Sequence, residues 1–172
     1  MHFLIVRFGS GCETRLVKWL RQNVPKHFSI IDIGCGNGAF LSRLHEEGYT
    51  NIGGIDYSLA GIRLAQSRLS PECSLFHIDI LNDDQMQSAG LAKYDIVFDK
   101  GTFDAISLQK VDETKDRMAV LLPKYIHSIE QLLSPDGRFI ITSCNWSMTE
   151  MVSMFDKFSF LGTVPHRTFT YG

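Results

Sequence analysis

The sequence alternates short apolar runs with segments of helical periodicity. Apolar runs bounded by turn residues predict strands, over Ser29–Ile33, Asn51–Ile55, Cys73–Ile78, Tyr94–Phe98, Arg138–Thr142 and Phe158–Val164. Helical spacing of apolar residues lies between them, over Glu13–Val24, Ala39–Glu47, Asp116–Leu133 and two segments that begin at Ser58 and Ser147. Because strands that alternate with helices form βαβ units, we predict an α/β protein with a three-layer, doubly wound, mostly parallel sheet.

Local signals refine the ends of these elements. Ser58 is a predicted N-cap, and Ser147 with Glu150 forms an S-x-x-E capping box. Pro123 is expected to disturb its helix, because proline cannot donate a backbone hydrogen bond. The segment Pro135–Gly137 is a predicted turn before the fifth strand.

Length and charge narrow the class of protein. The length indicates one domain over residues 1–172, with residues 1–28 predicted as an N-terminal helical cap segment. A net charge of −2 carries no basic surplus, so we expect no direct binding to nucleic acid. The apolar run Phe3–Val6 is too short for a signal peptide or a membrane span. We therefore expect a monomer in the cytoplasm, with the nucleus as the alternative, and no membrane partner.

The cysteines and histidines predict no metal site. The sequence contains neither a C-x-x-C pair nor an H-E-x-x-H motif. The cysteines are scattered along the chain, at Cys12, Cys35, Cys73 and Cys144. In a cytosolic protein, such residues are typically reduced thiols that pack as small apolar side chains.

The strongest chemical signal is the glycine-rich segment Asp32–Gly38, which follows a predicted strand and opens a helix. It satisfies the dinucleotide fingerprint G-x-G-x-x-A. It also reads D-x-G-x-G-x-G, which resembles the first motif of class I S-adenosylmethionine-dependent methyltransferases. A carboxylate at Asp32 would repel a pyrophosphate but attract the ammonium and sulfonium groups of S-adenosylmethionine. We therefore predict S-adenosylmethionine as the cofactor and a dinucleotide as the alternative, held by Asp32, Gly34, Gly36, Asn37 and Gly38.

Acidic residues also end the next two predicted strands. Asp56 lies near the spacing at which an acid accepts hydrogen bonds from a ribose, and Tyr57 is expected to pack on the adenosine. The methyltransferase resemblance implies that Asp79 binds the adenine amino group and that Ile80 packs on the ring. In sheets of this kind the ligand binds at the carboxyl ends of the strands, where these four residues lie.

A more specific pattern follows the fourth predicted strand. The segment Asp99–Ala105 resembles the D-K-G-T-x-D-A signature of the elongation factor 1-alpha lysine methyltransferases. Gly54–Ser58 and Thr142–Trp146 resemble other segments of that family, and the likeness runs from about Arg7 to Gly172. The resemblance implies a Rossmann-like methyltransferase fold and transfer of a methyl group to a lysine of elongation factor 1-alpha.

Residues after the fourth and fifth predicted strands are the candidates for handling that lysine. Asp99 is the predicted catalytic residue, which positions the amine or accepts its proton; alternatively, it binds the cofactor or caps the loop. Asp104 is a weaker candidate that could simply begin the next helix. The predicted substrate-binding residues are Thr102, Phe103, Asn145 and Trp146, in which the two aromatic rings would wall a lysine channel by cation–π contact.

Other functions remain open on the sequence. One is a methyltransferase that acts on a small molecule or RNA, and the least favoured is a dinucleotide-dependent oxidoreductase. The fold implied by the resemblance has seven strands, the last of which is antiparallel and lies between the fifth and the sixth. We find no apolar run for this last strand after Phe158–Val164. The fifth strand is therefore expected to expose an edge, or the sixth strand to move next to the fifth. A truncated cofactor-binding protein without turnover is therefore the third alternative.

Overall fold

The computed structural model describes residues 1–7, 9, 11–108 and 117–164. Within these ranges the strands are β1 (His2–Arg7), β2 (Ile30–Ile33), β3 (Ile52–Asp56), β4 (Ser74–His77), β5 (Tyr94–Lys100), β6 (Leu133–Ser143) and β7 (Ser159–Thr163). The helices are α1 (Cys12–Asn23), α2 (Ala39–Glu46), α3 (Leu59–Arg68), α4 (Asp83–Ser88), α5 (Thr102–Leu108), α6 (Arg117–Leu132) and α7 (Met148–Met154). All six predicted strands are confirmed, as β2 to β7.

The strands form one sheet in the order β4-β3-β2-β5-β6-β1-β7. Each strand pair among the described residues is parallel. The carboxyl ends of β2, β3, β4 and β5 therefore meet at one edge, and the order of the chain through the sheet reverses between β2 and β5. This is the position at which open α/β sheets bind ligands.

Strand β1 corrects two expectations from the sequence. Residues 1–28 are not wholly a helical cap segment, because residues 2–7 form a strand and only α1 is helical. This strand lies between β6 and β7, so it fills the position expected to be vacant, and it runs parallel to both neighbours. Its run Phe3–Val6 is buried on both faces, which is typical of a strand inside a parallel sheet. β1 thereby pairs with the edge of β6 that the sequence had predicted to be exposed.

Helices cover both faces of the sheet, because alternate side chains of each strand point to opposite sides. On one face, α1, α2 and α3 pack against strand residues that include Val6, Ile30 and Phe98. On the other, α4, α5, α6 and α7 pack against residues that include Ile33 and Phe139. The predicted three-layer architecture is confirmed.

Local signals set several of the element ends. The side chain of Ser58 accepts a hydrogen bond from the Gly61 amide, and the capping box of Ser147 and Glu150 is formed. Pro123 lies inside α6, whose predicted first residue, Asp116, falls outside the described residues. The predicted turn Pro135–Gly137 instead lies within β6, where the register against β5 shifts between Tyr94 and Ile96. The described part of the chain has no helix that is both long and apolar enough to cross a membrane.

Candidate active site

The glycine-rich segment forms a tight turn between β2 and α2. The amides of Gly34 and Cys35 both donate to the carbonyl oxygen of Ile55, which ties the turn to β3. Gly34 has a φ of 70°, and a Cβ there would lie 1.9 Å from Oγ1 of Thr102. No other residue type fits such an approach between the two loops. A Cβ on Gly36, by contrast, would have no atom within 4 Å, so this side of the turn is open.

Asp56 holds this turn against the end of β3. Its Oδ2 accepts a hydrogen bond from the Gly36 amide at 2.7 Å, and its Oδ1 accepts one from the Ser58 amide at 2.8 Å. A carboxylate oxygen can accept more than one hydrogen bond, so both oxygens retain acceptor capacity. Asp56 therefore shapes the loop and still presents acceptors at the edge where a ribose is expected.

A cavity of about 340 Å³ opens at this edge, between the ends of β2, β3, β4 and β5. Its lining includes six of the predicted site residues, which are Gly34, Asp56, Tyr57, Asp79, Ile80 and Thr102. The Tyr57 side chain is 75% exposed, whereas Ile80 is buried. Exposure of a large aromatic side chain beside a cavity leaves its ring free to stack on a bound planar group.

Asp79 is exposed at the rim of the cavity. Its Oδ1 accepts a hydrogen bond from the Leu81 amide at 2.9 Å, and its own amide donates to Oε1 of Gln85 at 2.8 Å. Asn37 is also exposed, and its Oδ1 accepts a hydrogen bond from the Ala39 amide. The structure thus brings Asp79 to the cavity and places Asn37 at the start of α2.

Asp32 is the least satisfied carboxylate among the described residues of this edge. It is 2% exposed, and its Oδ1 has no hydrogen-bond partner in the described structure. Burial raises the pKa of Asp32 well above its usual range, and the charge of Lys100 opposes that rise. A buried carboxylate without a partner is costly unless a cation or donor reaches it. Asp32 is not among the described residues that line the cavity, so its contact with the ammonium group of S-adenosylmethionine stays a prediction.

Asp99 lies deeper, at the end of β5, and is fully buried. Its Oδ1 accepts a hydrogen bond from the Thr102 amide at 2.7 Å, and its Oδ2 accepts one from the Phe103 amide at 2.8 Å. The Tyr125 hydroxyl also donates to Oδ2. Burial raises the pKa of Asp99 to about 6, although these three hydrogen bonds act to lower it.

Comparison with known proteins identifies the family. Residues 25–165 match the family described as Methyltransferase domain. The chain is a member of this methyltransferase family. It is 37% identical over 168 residues to EEF1A lysine methyltransferase 2 from Danio rerio, a match that covers 96% of this chain and 70% of that protein. It is 38% identical to EEF1A lysine methyltransferase 2 from Homo sapiens, a match that covers 96% of this chain and 69% of that protein. It is 36% identical to Protein-lysine N-methyltransferase efm4 from Schizosaccharomyces pombe, a match that covers 96% of this chain and 76% of that protein.

Solved structures support the same fold at low sequence identity. A TehB-like SAM-dependent methyltransferase from Corynebacterium glutamicum superposes with a TM-score of 0.63 at 19% identity, covering 83% of this chain and 71% of the other. Magnesium protoporphyrin IX methyltransferase from Synechocystis PCC 6803 superposes with a TM-score of 0.60 at 18% identity, covering 84% of this chain and 65% of the other. Membership of the methyltransferase family assigns S-adenosylmethionine as the cofactor, as the sequence predicted.

In this methyltransferase the geometry of Asp99 favours loop capping over contact with substrate. Its oxygens are already bound by the first two amides of α5 and by Tyr125. With no exposed surface, the carboxylate cannot touch an incoming amine. It sets the position of Thr102, whose hydroxyl donates to the Ile33 carbonyl oxygen and which lines the cavity.

The other three predicted substrate-binding residues lie in three different environments. Phe103 is 1% exposed and packs in an aromatic core, with ring centroids 5.1 Å from Tyr125 and 5.3 Å from Phe155. The prediction that Phe103 walls a lysine channel is therefore corrected, because its ring faces the interior. Asn145 is exposed, and Trp146 is half-buried beside a second cavity of about 410 Å³.

Two residues to which the sequence patterns assign no role contribute to the methyltransferase site. Lys100 is exposed, lines the cofactor cavity and interacts electrostatically with Asp32. Its place inside the D-K-G-T pattern was the available signal. Tyr125 had no such signal, because it lies 26 residues beyond Asp99, in α6.

Proposed function

We propose that this chain is an S-adenosylmethionine-dependent protein-lysine N-methyltransferase that acts on elongation factor 1-alpha. The observation that carries the proposal is a cofactor cavity lined by Asp56, Tyr57 and Asp79, in a chain whose relatives are named as EEF1A lysine methyltransferases. The D-K-G-T segment at the end of β5 lies against this cavity, as Lys100, Gly101 and Thr102 line it.

The residues of the cavity supply binding and orientation. S-adenosylmethionine, when bound, supplies a methyl group activated by the neighbouring positive sulfur. Asp56 and Asp79 line the cavity and offer carboxylate acceptors to a nucleoside. The unpartnered Oδ1 of Asp32 is the acceptor that we propose for the ammonium group. Because alignment of two reactants removes much of the entropic barrier, such fixed groups are a large source of rate enhancement.

The lysine amine must lose a proton before it attacks. An unperturbed lysine has a pKa of about 10.4, so it is mostly protonated at neutral pH. Burial of the amine beside a positive charge lowers that pKa and favours the reactive form. Asp99 contributes to this arrangement as a positioning residue, since it fixes the start of α5 beside the cavity.

Cofactor binding is tested by calorimetry with S-adenosylhomocysteine. We expect the purified chain to bind it and Asp56→Ala to weaken binding by more than tenfold, because the variant loses the acceptor and the hydrogen bond to Gly36. Asp136→Ala is a matched control, as Asp136 is exposed near the start of β6 and away from the cavity. Equal affinity in the wild type and Asp56→Ala would contradict the assignment.

Substrate choice is tested by incubation with elongation factor 1-alpha and S-adenosylmethionine labelled in the methyl group. We expect label on a lysine of the factor. Label on RNA or a small molecule, with none on the factor, would favour the alternative substrates. Binding of S-adenosylhomocysteine without any transfer would favour the cofactor-binding protein without turnover.

The cellular setting belongs to the same proposal. We place the enzyme in the cytoplasm, with the nucleus as the alternative, and expect a monomer. Subcellular fractionation and light scattering after size-exclusion chromatography test the two statements. A membrane-bound fraction or a stable dimer would contradict them.

A further inference from the structure

Asp104 lies on α5 and is 5% exposed. Its carboxylate accepts hydrogen bonds from residues at the end of β6. Its Oδ1 accepts a hydrogen bond from the Ser143 hydroxyl at 2.5 Å. Its Oδ2 accepts one from the Cys144 amide at 2.7 Å and contacts the Cys144 thiol at 3.1 Å. Asp104 therefore connects α5 to the segment that leaves β6.

A second set of hydrogen bonds extends the connection along that segment. The Ser143 hydroxyl oxygen accepts hydrogen bonds from the amides of Asn145, at 3.2 Å, and Trp146, at 3.1 Å. A hydroxyl has one donor and two acceptor sites, so all the capacity of Ser143 is used. The indole of Trp146 donates to the Ser107 hydroxyl at 3.1 Å, and Ser107 donates to the carbonyl oxygen of Asp104. The network is closed at both ends on α5.

This network forms one wall of the second cavity, which has a volume of about 410 Å³. Among the residues that the structure describes, its lining includes Ser143, Cys144, Trp146 and Met148. The cavity opens after the carboxyl end of β6. Because β6 is parallel to β5, this is the same edge of the sheet as the cofactor cavity.

We propose that Asp104 is a positioning residue for the protein substrate, because it holds residues 143–146 in the conformation that lines the second cavity, at the edge of the sheet where the target lysine is expected. The inference deepens the proposed function and rests on it. A purely structural role would lower stability and cofactor affinity together. A positioning role changes recognition of the protein substrate while the cofactor site, which Asp104 does not line, is unaffected.

The test compares Asp104→Asn with Asp95→Asn. The amide of asparagine presents a donor where the carboxylate accepts, so one contact to Ser143 or Cys144 is lost. Asp95 is a matched control at the start of β5, on the opposite edge, where its Oδ2 accepts two hydrogen bonds from Ser29. The readouts are KM and kcat for elongation factor 1-alpha and the Kd of S-adenosylhomocysteine.

We expect Asp104→Asn to raise KM for the factor at least tenfold, with kcat changed less than threefold and the Kd of S-adenosylhomocysteine within twofold of wild type. Asp95→Asn should leave all three unchanged. If Asp104→Asn fails to fold, Ser143→Ala provides the same test, because it removes the link to the amides of Asn145 and Trp146.

The outcomes separate this inference from the proposed function. A wild-type chain that labels no lysine of the factor removes the proposed function, and the inference with it. A wild-type chain that labels the factor, together with variants whose KM is unchanged, overturns the inference alone. Parallel losses in KM and in S-adenosylhomocysteine affinity also overturn it, since they indicate a general structural defect.

Discussion

Replacement of Tyr125 by phenylalanine tests how the centre of the fold supports a buried charge. The hydroxyl of Tyr125 donates to Oδ2 of Asp99, and both residues are fully buried. The aromatic ring packs against Phe103, Phe139 and Phe155, contacts that phenylalanine retains. The variant therefore removes one hydrogen bond to the carboxylate and little else.

The loss of unfolding free energy that Tyr125→Phe causes depends on pH, because the pKa of Asp99 differs between the folded and unfolded states. Burial raises it to about 6 from the ordinary value of 3.8. The folded state thus binds the proton more tightly, so stability from this group is greatest below about pH 4 and is lost as pH rises to about 6. About two pKa units correspond to roughly 3 kcal/mol. The hydroxyl of Tyr125 limits this loss, because it stabilises the charged form.

Tyr125→Phe should therefore be more destabilising above pH 6 than below it. A hydrogen bond to a charged acceptor contributes about 1.5–3 kcal/mol, and one to a neutral acceptor about 0.5–1.5 kcal/mol. We expect losses in these two ranges at pH 8 and pH 5, respectively, measured as the free energy of unfolding in urea. The pKa of Asp99 should rise further in the variant, since a hydrogen bond that lowers it has been removed.

Tyr49→Phe is the matched control for this measurement. Tyr49 is equally buried, and its hydroxyl donates to the carbonyl oxygen of Val24 at 3.0 Å. Because that acceptor does not titrate, the control should lose about 1 kcal/mol at both pH values. If Tyr125→Phe showed the same loss at pH 5 and pH 8, the reasoning that Asp99 is a buried charge held by Tyr125 would be refuted.

Three further variants test the cofactor edge. Gly34→Ala should lower the free energy of unfolding by ~2 kcal/mol or more, because its Cβ meets Thr102 at a positive φ; an unchanged melting temperature would contradict this. Asp32→Asn should raise stability at pH 8 by about 1 kcal/mol while it weakens S-adenosylhomocysteine binding about tenfold, as the partnerless carboxylate is removed; calorimetry and urea unfolding check both effects. Tyr57→Ala should leave stability unchanged, since the side chain is 75% exposed, and weaken binding on the order of fivefold through lost stacking; equal affinity by calorimetry would exclude that contact.

The parts of the fold that depend on local interactions were predictable from the sequence. The apolar runs of β2 to β7, the cap at Ser58 and the capping box at Ser147 involve residues that are neighbours in the chain. The same holds for the glycine turn, whose spacing and position after a strand predicted a nucleotide-type cofactor. These signals survive folding because hydrophobic periodicity and capping are properties of single elements.

Long-range contacts were decided only by the tertiary structure. The pairing of β1 with both β6 and β7 joins residues at opposite ends of the chain, so a local pattern could not place it. Asp99 was predicted from its position at a strand end, but its role depends on Tyr125, which packs over it from α6. Phe103 and Asp104 stand side by side in one motif; one enters the aromatic core and the other reaches the end of β6. The sequence determined which residues gather at the carboxyl edge, and the packing of helices against the sheet decided which of them face the cavity, because burial depends on neighbours that are distant in the chain.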